Sequence, residues 1–216
     1  MLREISLSCY KKEKFTLQFN SETWCVSELY WSYLKKYNTN KIQKCIVSLN
    51  FDWKEHLLKY DDIANVAKIN LNFDFDHYFS IKNKLEKKKI LLDTLHEGMM
   101  IIAENEGWDV DSLLDAYNNC LKINVEYQFF IGKIKASPNR KRKVNFWCNW
   151  DIDAFEVFLV LYDKNNEEIE RTKIIEDENT YNGEFIYYVT YKWINDKTVL
   201  LKDNYMSEKK NWTIKI

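Results

Sequence analysis

The spacing at which apolar residues recur changes twice along this chain, and that change constrains the fold more than any single motif. Up to about residue 78 they alternate with polar residues around one helical stretch. From about Lys82 to Leu121 they recur every three or four positions, and after about Glu126 alternation returns. Alternation places one side of a strand against a core, whereas a 3.6-residue period places one side of a helix there. The expected fold class is α+β, with an N-terminal ββαββ-like part, a central helical hairpin and a C-terminal antiparallel β meander. Residues 1–125 make up the first part and 126–216 the second, packed as one unit with no Pro/Gly/Ser linker between them.

Within the first part, Ile5, Leu7, Cys9 and Phe15, Leu17, Phe19 read as a hairpin bridged by Lys11-Lys12-Glu13. Ser21 reads as the N-cap of a helix over about 22–37, with Val26, Tyr30, Tyr33, Leu34 and Tyr37 on one side. Cys45–Phe51 and Ile69–Phe75 read as strands. From Lys82 to Glu106, Leu85, Leu91, Leu92, Leu95, Met99, Ile102 and Ala103 share one arc. Gly107 is placed to stop this helix. Trp108, Asp109 and Leu113 then form a staple and cap for a second helix with Val110, Leu113, Leu114, Tyr117 and Leu121 on its apolar side. In the second part Val144, Phe146, Cys148 and Trp150 alternate with Asn145, Trp147 and Asn149, Phe155–Tyr162 is an apolar run, and Tyr187, Val189, Tyr191 and Trp193 alternate again. With turns at Asn182-Gly183 and Asn195-Asp196, this predicts five to seven strands.

The chain has 4 Gly and 1 Pro in 216 residues, against about 25 at average usage. A phosphate-cradling loop or a serine nucleophile elbow needs paired glycines, and the glycines stand apart at 98, 107, 132 and 183. Asn and Asp must therefore take most left-handed turn positions. Five cysteines at least sixteen residues apart suggest neither a disulfide framework nor a zinc site and read as small buried hydrophobes. No stretch is apolar enough for a membrane helix or a signal peptide, so the expectation is a cytoplasmic protein that binds no membrane and no cofactor.

His96-Glu97-Gly98-Met99-Met100 begins like a zinc-protease signature but has Met100 where the second imidazole belongs, and His96 reads as a surface residue beside Asp93. His56 and His77 read as half-buried. Three Asp-x-Asp pairs occur. Asp109/Asp111 reads as helix capping, whereas Asp74-Asp76-His77 and Asp151-Asp153-Glu156 are the places where a divalent cation would sit if the chain were a metal-dependent hydrolase or nuclease.

The net charge of −1 conceals segregation: +5 over 1–90, −7 over 91–131, +6 over 132–147, −8 over 148–196 and +3 over 197–216. On the long helix Glu86, Asp93, Glu97 and Glu104 fall within about 40° of one another, opposite the apolar arc. Lysines crowd the start of that helix and acids its end, against the macrodipole, which suggests that these charges have another use. Arg140, Lys141, Arg142 and Lys143 sit in a loop before Trp147, which faces outward if its neighbours face inward. That pattern suits single-stranded nucleic acid, although pairing with the flanking acidic blocks is the expected use. With no catalytic motif, the chain reads as a non-catalytic protein-binding or inhibitory protein, one version being a bacterial toxin-immunity protein. Its partner would be a protein with a basic surface, met by Glu86, Asp93, Glu97, Glu104, Asp151, Asp153 and Glu156. The alternatives are the metal-dependent enzyme and the nucleic-acid module.

Overall fold

A computed structural model describes residues 1–9, 15–50, 57–178, 184–204 and 210–216. Lys11-Lys12-Glu13, Phe51, His56 and the Asn182-Gly183 turn lie outside these residues. The chain is α+β and divides into two compact units, Met1–Tyr127 and Gln128–Ile216. Among the described residues no helix is long and apolar enough to cross a membrane.

The first unit runs β1 (Glu4–Cys9), α1 (Thr16–Tyr33), β2 (Lys44–Asn50), β3 (Leu57–Asp61), β4 (Val66–Asn72), α2 (Phe75–Ser80), α3 (Lys84–Glu106) and α4 (Val110–Lys122). Its sheet has the order β1-β2-β4-β3, with β1, β2 and β4 parallel and β3 antiparallel at the edge. The expected hairpin is therefore corrected. Phe15, Leu17 and Phe19 do not form a second strand; α1 carries the chain across to a parallel β2, a crossover that needs a dozen or more residues. A three-residue apolar alternation is too short to separate the two periods. Burial separates them, since Leu17 is 85% exposed while Phe19 is buried among Phe73, Phe75 and Tyr78. Ser21 caps nothing; inside α1 its hydroxyl donates to the Gln18 carbonyl.

Strand β4 stops at Asn72 because Asp74 accepts a hydrogen bond from His77 N and caps α2, so Phe75 and Asp76 are helical rather than extended. The helical hairpin forms as expected. Gly107 sits in the left-handed region at φ 65°, donating to the Ala103 and Glu104 carbonyls, and Asp109 accepts from Asp111 N and Ser112 N. The apolar side of α4 is rotated from expectation, however. Leu113, Ala116 and Cys120 are buried, whereas Leu114 is exposed. Helix α3 packs on β1, β2 and β4 and against α1 and α4.

Among the described residues the second unit holds seven strands, in two sheets rather than one meander. The first is β5 (Tyr127–Ala136), β6 (Arg142–Trp150), β7 (Ala154–Asp163) and β8 (Glu168–Glu178), in that order; the second is β11-β10-β9, from β9 (Val189–Asn195), β10 (Thr198–Asp203) and β11 (Asn211–Lys215). Tyr187 belongs to a short helix, α5 (Glu184–Tyr188), and not to a strand. The Tyr191 ring packs 4.9 Å from Phe146 and its hydroxyl reaches the buried Asn145 amide at 2.9 Å, tying the sheets together. Asn40, Asn65, Asn124 and Asn166 all take positive φ, the substitution for glycine that the composition demands. All five cysteines are buried and free.

Candidate acidic protein-binding face

Helix α3 begins at Asn83, whose side chain accepts from Glu86 N, and its inner arc of Leu91, Leu92, Leu95, Met99, Ile102 and Ala103 is sealed against the sheet and its neighbouring helices. With that arc fixed, the opposite side must face solvent. Glu86, Asp93, Glu97 and Glu104 are indeed all exposed, and Glu86, Glu97 and Glu104 make no ion pair among the described residues. Asp93 accepts a hydrogen bond of 2.7 Å from the Tyr117 hydroxyl on α4. That bond, followed by burial, pushes the Tyr117 phenol up to about 12.

Beneath this row lies a joint of three helices that the sequence reading missed. The Tyr117 ring stacks on His96 at 4.5 Å and 21°. The Nδ1 of His96 is 2.9 Å from the hydroxyl of the buried Tyr30 on α1, and that hydroxyl is also 3.4 Å from the Leu113 carbonyl. His96 is thus half-buried and bonded, not a surface residue as expected. Burial lowers its pKa, with Asp93 partly opposing. A histidine depressed in the folded state is protonated first in the unfolded chain. Its stabilising contribution is therefore complete above about pH 6.5 and is lost as pH falls below that value and through the lower folded one. His96→Gln should flatten the loss of stability between about pH 7.5 and about pH 5 in urea unfolding; unchanged pH dependence would refute the assignment.

One of the lysines that oppose the α3 dipole, Lys87, has another use. Lys87 Nζ is 3.0 Å from Glu22 Oε2 on α1, with only 12% and 8% of the two side chains exposed. The same carboxylate accepts from Tyr78 at 2.6 Å and from Gln18 at 2.8 Å. Lys87 also lies over the Tyr78 ring at 4.6 Å. The sequence did hold a signal, because Glu22 falls on the arc of α1 shared by Phe19 and Val26. A charge at such a position requires a buried partner.

The second expected acidic cluster is not equivalent to the first. Glu156 is bonded to Lys173 at 2.6 Å and to Asn149 at 2.9 Å, which holds its carboxyl below the usual range. Asp151 Oδ1 accepts from Ile152 N in the turn between β6 and β7, and Asp153 is exposed there. Among the described residues no group of three or more His, Cys, Asp or Glu is arranged to hold a metal. Asp74 and Asp109 are both helix caps.

Trp147 faces outward, as the burial of Val144, Phe146 and Cys148 requires. Its ring already carries the Arg171 guanidinium at 4.8 Å and Phe158 at 5.3 Å. Arg140, Lys141 and Arg142 are exposed around the turn from β5 to β6, and their side chains make no ion pair among the described residues, contrary to the expected pairing with acidic blocks. Lys143 instead bonds the Lys164 carbonyl and Asn166. From Arg142 to Trp147 is about 17 Å along the strand, so the charges and the ring do not converge. Compared with known protein families, curated proteins and solved structures, the chain matches none.

Proposed function

We propose that this chain is a non-catalytic protein-binding protein that uses the outer side of α3 to cover a basic surface on its partner, in the manner of a bacterial immunity protein masking a toxin. The observation that carries this reading is the row of Glu86, Glu97 and Glu104, exposed and without an ion pair among the described residues, on a helix whose other side is locked to its own fold. Unpaired carboxylates on a rigid support steer a cationic partner and need no reorganisation on binding. Five buried free thiols suit the reducing cytoplasm, the compartment in which such a protein would act.

The test is affinity for a basic protein captured from the source cells. Glu86→Lys, Glu97→Lys and Glu104→Lys together should lower affinity on the order of tenfold to a hundredfold, chiefly through slower association, and remove its salt dependence. Asp93 is left intact because it holds Tyr117. An unchanged Kd would refute the reading.

A further inference from the structure

The rotation of α4 leaves part of its apolar side unburied. Val110, Leu114, Tyr117 and Leu121 fall within about 60° of one another on the helix, beside the arc of Leu113, Ala116 and Cys120 that is buried in the unit. Leu114 is 47% exposed and the other three are half-buried. The stripe runs for about 17 Å along the helix axis. Carboxylates border it on both sides. Asp93 on α3 stands on one flank, bonded to Tyr117, and the exposed Asp111 and Asp115 of α4 stand on the other. Lys89 and Lys122 close the same end of the hairpin, where the acidic border stops.

We infer that this stripe is the centre of the partner contact and that its occupant is a cationic amphipathic segment of the partner protein. An apolar centre within a charged rim is the anatomy of an energetically concentrated interface. Apolar side chains of the segment seat on Leu114 and Tyr117, while its lysines or arginines reach Asp93, Asp111, Asp115 and the α3 row. Borders that carry Asp93, Asp111 and Asp115, with lysines only at one end, disfavour the other occupants. An anionic membrane surface and a nucleic acid meet like charge, and a second copy would set one acidic border against another. The inference rests on the reading of α3 above and adds what that reading lacks, an apolar specificity element.

The full chain can be titrated by calorimetry with a synthetic helical peptide of lysine and leucine of about 18 residues, a polylysine of equal charge, and a glutamate–leucine counterpart. The lysine–leucine peptide should bind at least about tenfold more tightly than polylysine, and the glutamate peptide not at all. Leu114→Asn should abolish that advantage and Leu114→Met should keep it. Equal binding of the two cationic peptides, or no effect of Leu114→Asn, overturns the stripe and leaves α3 standing. Glu86→Lys, Glu97→Lys and Glu104→Lys together without effect on either peptide overturn the α3 reading itself. A dimer in sedimentation that Leu114→Asn dissolves overturns the partner assignment in favour of a second copy.

Discussion

Glu22→Ala should destabilise the protein by about 3–5 kcal/mol, the expected cost of breaking a buried ion pair from one side. The loss would not measure the attraction between Glu22 and Lys87. It reflects what remains: an ammonium with 12% of its side chain exposed, a Tyr78 hydroxyl deprived of its acceptor, and a Gln18 amide deprived of the other oxygen. Burial and the Glu22 carboxylate together raise the Tyr78 phenol far above its ordinary range, so that group stays a neutral donor and cannot replace the missing charge. Replacing all three charged or hydroxylated members with apolar side chains, by Glu22→Met, Lys87→Met and Tyr78→Phe, should recover most of the loss, because no buried polar group is then stranded. Urea unfolding with an unchanged m-value is the measurement. A single-variant loss under about 1 kcal/mol would mean that water reaches the site.

This network also shows where sequence reading succeeds and where it stops. Helices α3 and α4 were legible because Leu91 to Ala103 repeat over several turns, and because Gly107 and Asp109 are capping residues whose chemistry is local. The acidic row on α3 was legible for the same reason, since fixing the buried arc fixes the opposite one. The start of helix α1 is ambiguous in the sequence because Phe15, Leu17 and Phe19 fit either period. Only the distant aromatics Phe73, Phe75 and Tyr78, which receive Phe19 edge-on, decide between them. The same limit hid the His96 joint. Tyr30 and Tyr117 lie 66 and 21 residues away from it, and no spacing rule brings three helices to one imidazole. Trp147 was placed correctly by alternation, yet its covering by Arg171 depends on the register of β7 and β8, which includes two shifts.

Gly98→Val should cost about 3 kcal/mol or more, and Gly98→Ala less, although alanine is the better helix former. At Gly98 helix α3 lies close against the sheet. A Cβ there would meet Val47 Cγ2 at 2.5 Å, Val47 Cγ1 at 2.8 Å and Ile69 Cγ2 at 3.1 Å. Two of these atoms belong to one β-branched side chain on β2, whose restricted χ1 cannot turn both methyls aside. Alanine in place of glycine gains about 1 kcal/mol of helix propensity, so its net loss should fall to about 1–2 kcal/mol. Valine gains much less propensity and adds two further methyls to the same contact. If the clash is the cause, pairing Gly98→Ala with Val47→Ala should give a loss smaller than the sum of the single losses by about 1 kcal/mol or more, whereas additive losses would place the effect elsewhere. The functional consequence follows from where Gly98 stands. It is the residue after Glu97, so a helix lifted from β2 to admit a methyl carries the acidic row outward and strains the bonds from α3 to Tyr30 and Tyr117. In this fold Gly98 is what lets the helix seat deeply enough to hold its carboxylates in place.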